Sequence, residues 1–207
     1  LMPVVRESGT ILSFDGSSQY YPFLLGLRRD LTEFFSALSN GNFSFPMVNF
    51  GFIFGADTIT SEVTMYLPFL PIYAFSVLVP YELIGSFIAF SIIFILYLVG
   101  LSFWNLCRYF GKNMLWAGFL SAFYAFCGNM FYTAIWNPQF LAMYIAFPFM
   151  IIGIDKILHD KSGLALTLSV AWLGLNGFSY LVYTLPFAGL FALLRLLHVK
   201  KEKRLFN

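Results

Sequence analysis

The sequence predicts an all-α, polytopic helical membrane protein with an extracytoplasmic loop that carries an amphipathic interfacial helix. Three observations predict it. Charged residues make up only 11% of the 207 positions and hydrophobic residues 59%, whereas an ordinary globular chain is roughly 25% charged. So few ionisable groups cannot cover a soluble surface. Mean hydropathy is +0.78, and the apolar residues gather into uncharged runs of membrane-spanning length with the basic residues at their ends. The same composition excludes other classes. A net charge of +2, with no basic face, does not suit a nucleic-acid partner. The 27 Phe, 12 Tyr and 4 Trp exclude a disordered chain.

Residues 1–62 form the predicted extracytoplasmic loop. Within it, Phe14-Asp15-Gly16-Ser17-Ser18-Gln19-Tyr20-Tyr21-Pro22 precedes a helix, because proline suits a first helical turn. Leu24, Leu27, Leu31, Phe34, Phe35 and Leu38 then recur at three- and four-residue spacing, and Asn40-Gly41 ends the pattern. Arg28, Arg29, Asp30 and Glu33 are expected largely off that stripe, so the helix would lie in the membrane interface with its apolar face down. A second aqueous stretch, 49–57, mixes glycines and aromatics and ends on Asp57. Glycine lets a backbone approach a ligand closely, and aromatic faces suit sugar rings.

Residues 63–82 are uncharged up to Glu82 but contain Pro68 and Pro71. Proline within a helix costs about 3 kcal/mol or more and kinks it, so a broken interfacial or re-entrant piece is predicted there in preference to a span. Transmembrane helices follow in 83–207. A span needs about 20 apolar residues; 83–104 and 114–135 supply 22 each, and 140–158 makes a third. Residues 164–197 number 34, which as one helix would be about 51 Å long. Asn176-Gly177 is a turn signal inside that run, so two helices are predicted, 164–176 and 178–197, before a basic tail.

Orientation follows from Lys and Arg. The loops at 108–112, 156–161 and 195–204 hold nine of the twelve and are assigned to the cytoplasm. That leaves Arg6, Arg28 and Arg29 outside with six acids, Glu7, Asp15, Asp30, Glu33, Asp57 and Glu62. The chain opens on Leu1, closes on Asn207 just after a basic run, and is expected to be a piece of a longer membrane protein. Both histidines, His159 and His198, fall on the cytoplasmic side, so they cannot join the outer serines in a triad and make no histidine-rich zinc site. Cys107 and Cys127 have neither disulfide nor metal spacing. No Gly-Lys-Ser/Thr phosphate loop occurs.

Asp15-Gly16-x-x-Gln19-Tyr20-Tyr21-Pro22-Phe23 resembles the first outer loop of the YfhO-like bacterial membrane proteins. Gly55-Ala56-Asp57, Tyr66-Leu67-Pro68-Phe69 and Asn176-Gly177-Phe178-Ser179-Tyr180 extend the resemblance over nearly the whole chain. It implies a GT-C-like fold and a glycosyltransferase of the bacterial plasma membrane. Such an enzyme takes a sugar from a polyprenyl-phosphate carrier on the outer face and gives it to an envelope glycopolymer such as teichoic acid. Asp15 occupies the acid position and is the expected catalytic base. Gln19 and Tyr20 would bind sugar hydroxyls, and Arg6, Arg28 or Arg29 the lipid phosphate, since the guanidinium fork matches phosphate. Asp57 would position the acceptor or a divalent cation; no cofactor is otherwise expected.

Each residue also has a plainer reading. Asp-Gly is a common turn, and an acid near a helix start meets backbone N–H groups. Asp57 would equally cap the next segment, and Arg29 would pair with Glu33 four residues on. Asn129 and Asn176, at membrane depth, would bond to neighbouring helices. Asp155 and His159 would form a salt-linked anchor. A transporter or flippase of lipid-linked sugars is the alternative function and needs a polar path through the bilayer. A non-catalytic scaffold is the other. The fragment by itself is expected to be inactive.

Overall fold

A computed structural model describes residues 12, 20–42, 48–49, 56–57, 69–176 and 178–205. Asn113 opens one helix by accepting a hydrogen bond from the Trp116 backbone N–H at 2.9 Å, an N-cap of the standard kind. Among the described residues, eight α-helices occur in chain order. They are α1 (Tyr21–Ser39), α2 (Leu70–Ala74), α3 (Ile84–Tyr109), α4 (Met114–Ala125), α5 (Gly128–Trp136), α6 (Leu141–Leu158), α7 (Leu164–Asn176) and α8 (Phe178–Leu205). Between α1 and α2, β1 (Val48–Asn49) and β2 (Ala56–Asp57) pair antiparallel, with Val48 opposite Asp57. This two-residue pair is the only departure from the all-α class among the described residues.

Pro22 falls in the first turn of α1, and Gly41, at φ +76°, ends it. The Asn42 N–H reaches back to the Ala37 carbonyl at 2.9 Å, the closure that a glycine in the left-handed region makes available. The proline-containing stretch makes no long helix from residue 69 onward. It runs as α2, a 3₁₀ turn (Phe75–Leu78), an extended residue at Val79 and a second 3₁₀ turn (Tyr81–Leu83). Residues 63–68 lie outside the described set.

Among the described residues, three helices are long and apolar enough to cross a membrane: Tyr81–Tyr109, Pro138–Leu158 and Ser179–His198. The α4 and α5 pair makes a fourth if its 48° bend is taken within one span. Phe126 and Cys127 occupy the break. Apolar residues cover these helices on all sides: Leu115 is 85% exposed and Phe123 71%. A helix with no polar face belongs in lipid or in a core, and side chains this exposed have no core around them.

The chain divides into two compact units, Leu1–Ile95 with Phe131–Gln139, and Leu96–Met130 with Phe140–Asn207. In the first, Leu24 and Leu27 of α1, Tyr73 of α2, and Ile84, Ile88 and Ile92 of α3 are buried. In the second, α6, α7 and α8 pack on one another around Leu141, Met150 and Leu173.

Proline shapes the second unit as well. Pro148 lies inside α6, and its missing N–H releases the Tyr144 carbonyl four residues earlier. A bare carbonyl in hydrocarbon costs several kcal/mol, so it must find donors elsewhere. Tyr124 Oη of α4 donates to it at 3.2 Å, and Ser102 Oγ of α3, whose shorter bond is to the Val99 carbonyl at 2.8 Å, lies 3.4 Å from it. The Tyr144 hydroxyl in turn accepts from Asn129 Nδ2 at 2.9 Å. Asn129 therefore bonds to a neighbouring helix, as expected of a polar group at this depth. The side chain of Asn176 lies outside the described set.

Close approach of α6 and α7 depends on Gly153. A Cβ there would stand 2.3 Å from the Leu166 backbone N and 2.8 Å from its Cα, and main-chain atoms of a packed helix cannot rotate aside. Membrane helices use small residues for this purpose. Gly153→Ala is expected to destabilise the protein by about 1–3 kcal/mol, the usual range for overpacking. Thermal unfolding in detergent checks it, with Gly189→Ala as the control because nothing lies within 4 Å of a Cβ there. Equal melting of the two variants would show that α6 and α7 are not in this contact.

Candidate functional site

The site residues predicted from sequence fall at two places along α1 and outside the described residues. Asp15, Gln19 and Arg6 lie outside them, as does the side chain of Asp57, whose backbone is in β2. Tyr20, Arg28 and Arg29 are described.

Tyr20 stands at the N-cap of α1 and is 6% exposed. Its hydroxyl accepts a hydrogen bond from Gln139 Nε2. Gln139 lies in the 3₁₀ turn Pro138–Phe140 between α5 and α6 and is buried. Tyr20 of the acid-bearing motif is thus fixed to the turn that joins two membrane helices.

Eight residues on, about 12 Å along the helix axis, Arg28 does structural work. Its Nε donates to the Ser76 carbonyl at 2.8 Å and its Nη2 to the Val79 carbonyl at 2.7 Å, with the Tyr81 ring centroid 5.9 Å from its Cζ. Within the 69–83 stretch the Ser76 carbonyl also accepts from the Val79 N–H at 3.2 Å, and buried carbonyls must find partners. Arg28 supplies them and pins α1 to the proline-rich stretch. Nearby, burial pushes the Tyr73 hydroxyl above its ordinary range, so it stays protonated.

Arg29 takes the opposite course. Its side chain is 52% exposed, and its Nη2 lies 2.9 Å from Asp30 Oδ1, to which Nε also donates. Asp30 corrects the sequence reading: it was expected off the apolar stripe and is only 1% exposed. It follows Leu27 by three residues, as Leu27 follows Leu24, which brings it to the flank of the buried face. Arg28 is half-buried for the same reason. The stripe itself fades along the helix, since Leu31, Phe34 and Leu38 are half-buried and Phe35 is exposed.

Among the described residues, three buried polar side-chain atoms have no hydrogen-bond partner: Asp30 Oδ2, Ser76 Oγ and Gln139 Oε1. Asp30 and Gln139 are the residues that pattern reading missed. Gln139 left one faint signal, a polar residue directly after Asn137-Pro138 at the head of an apolar helix. Among the described residues no group of three or more His, Cys, Asp or Glu is placed to hold a metal ion.

At the other end of α6, Asp155 is 4% exposed. Its Oδ1 accepts from Arg195 Nε of α8 at 2.6 Å and its Oδ2 from Tyr109 Oη of α3 at 2.7 Å. His159 Nδ1 stands 3.6 Å from the same carboxylate and bonds the Asp155 carbonyl at 2.8 Å. This is the salt-linked anchor expected of Asp155 and His159, and it ties three helices together.

Several apolar helices of spanning length, joined by short turns, define a multi-pass membrane protein of the all-α class. The chain matches the family described as bacterial membrane protein YfhO over residues 4–206, and it belongs to that family. No curated protein and no solved structure matches it.

Proposed function

We propose that the protein is part of a membrane glycosyltransferase acting on the outer face of the bacterial plasma membrane. It would move a sugar from a polyprenyl-phosphate carrier to an envelope glycopolymer such as teichoic acid. One observation carries the reading: the Asp15-Gly16-x-x-Gln19-Tyr20 motif ends on a side chain held by Gln139 in the turn between two membrane helices. A turn between two membrane helices lies near the level where a lipid phosphate meets water, which supports the reading. The family match supports the membrane setting and a glycosyltransferase-like role.

The chemistry needs three things. A base must take the proton of the acceptor hydroxyl as its oxygen bonds to the anomeric carbon. The bond from that carbon to the phosphate oxygen breaks, and the polyprenyl phosphate leaves with the electron pair. Cationic donors must hold the charge that gathers on the phosphate. Asp15 is proposed as the base, with Gln19 and Tyr20 binding the sugar. Arg28 has two donors committed to main-chain carbonyls and Arg29 two to Asp30 Oδ1; Arg29, 52% exposed, is the more accessible of the two, and Arg6 is the third proposed phosphate ligand. Asp57 would orient the acceptor or hold a divalent ion by its oxygens.

A flippase would need polar groups facing a path through the bilayer. Asn129 bonds the Tyr144 hydroxyl, and Tyr124 and Ser102 approach the Tyr144 carbonyl that Pro148 frees, so packing already explains them.

Sidedness tests the reading. With Cys107 and Cys127 replaced, a single cysteine is placed at Ser17 or at Ser162, and intact cells are treated with a membrane-impermeant maleimide. Labelling is expected at 17 and not at 162. The reverse pattern would put the acid loop in the cytoplasm and end the proposal.

A further inference from the structure

We propose that Gln139 is a specificity-determining residue that binds one hydroxyl of the carrier-linked sugar through the end of its amide that Tyr20 leaves open. The inference rests on the lipid-linked-sugar reading above. Gln139 is 7% exposed. One end of its amide is bonded to the Tyr20 hydroxyl, and Oε1 is buried with no partner. Which end is oxygen and which nitrogen is a matter of assignment, but the conclusion does not depend on it. Turned either way, the amide has one polar end paired and the other unpaired.

Leaving a buried polar group unsatisfied costs about 1–3 kcal/mol, and a helix turn has simpler residues available than a buried glutamine. The position calls for a ligand group that completes the amide. A hydroxyl is the group that suits either orientation, since it donates to an amide oxygen and accepts from an amide N–H. The open end is already stripped of water, so an arriving hydroxyl meets no competing hydration. Where a site is built to bond a hydroxyl, an analogue lacking it is rejected strongly, because the buried partner is left bare.

Location agrees with this role. Tyr20 adjoins Gln19 in the chain and follows Asp15 by five residues. Tyr20 thereby orients Gln139 as well as closing the acid motif. Asp30, whose Oδ2 is also buried without a partner, is ten residues further along α1 than Tyr20, about 15 Å along the axis, and belongs to a different part of the helix.

The test measures binding of the full-length membrane protein to polyprenyl-phosphate glucose, galactose, mannose and N-acetylglucosamine. The tightest of these is then compared with its mono-deoxy analogues. In the wild type one analogue is expected to bind about 10-fold or more weakly than the parent, the equivalent of about 1.4 kcal/mol. Gln139→Met keeps the length and removes both polar ends; it should lose that discrimination. Gln139→Glu keeps an acceptor and charges it; it should enlarge the penalty for the same analogue. Unchanged discrimination in either variant overturns the role of Gln139 while leaving the lipid-sugar reading intact. Wild-type protein that binds none of the four probes overturns both. Because each variant is decisive alone, failure of Gln139→Met to reach the membrane does not spare the proposal from Gln139→Glu.

Discussion

Asp15→Asn is expected to lower sugar transfer by about 10²- to 10⁴-fold, the usual contribution of a positioned general base, with membrane abundance unchanged. Asparagine keeps the shape of the side chain and its capacity to accept a hydrogen bond. It cannot take up the proton of the acceptor hydroxyl. If Asp15 only closes a turn or meets backbone N–H groups near the start of α1, asparagine serves almost as well, and neither activity nor abundance should move. Abundance measured beside transfer therefore separates the two roles. Asp15→Glu gives a second reading, because it keeps the base and moves it by one methylene. A partial loss there, with near-complete loss in Asp15→Asn, marks proton transfer; wild-type transfer by Asp15→Asn removes Asp15 from the chemistry.

The membrane class was legible because it rests on a quantity that cannot hide, the lack of charge. Helix positions were legible where proline and glycine punctuate the apolar runs. Asn176-Gly177 separates α7 from α8, and Pro71 falls where only α2 and short 3₁₀ turns form. What could not be read depends on contacts made far along the chain. Gln139 meets Tyr20 across 119 positions, and no local pattern points from one to the other. Arg28 looked like a solvated cation because helical spacing says which face a residue shares but not what lies against its flank. Its partners are the carbonyls of a stretch 48 and 51 residues away. Asp30 failed differently. Its three-residue spacing from Leu27 was visible, but carboxylates are almost never fully buried, and that rule outweighed the spacing. The donors to the Tyr144 carbonyl were half legible: Pro148 announces that a carbonyl is freed, and only the fold says that Tyr124 and Ser102 answer it.

Arg195→Met is expected to destabilise the protein by about 3–5 kcal/mol, the range for removing one partner of a buried ion pair. Arg195 Nε stands 2.6 Å from Asp155 Oδ1, and the carboxylate side chain is 6% exposed. Without the guanidinium that charge keeps the Tyr109 hydroxyl and a histidine 3.6 Å away, neither of which matches a fixed cation. A lone aspartate within a membrane helix is unfavourable by about 2.5–3.5 kcal/mol even on insertion scales. Arg195 is about a quarter exposed, so solvent softens the loss and the lower end of the range is the better expectation. Asp155→Leu should cost less, because Arg195 sits near the end of the apolar span Ser179–His198 and its long stem lets the charge reach water. The double variant Asp155→Leu/Arg195→Met should recover most of the loss, since apolar replacement of a buried pair is often neutral or stabilising. The discriminating quantity is the interaction energy from the four-variant cycle, measured by thermal or denaturant unfolding in detergent. A cycle that closes within about 0.5 kcal/mol would show that the two side chains do not interact. A large interaction energy, with the double variant near wild type, would show that the pair fixes which helices pack together more than it adds stability.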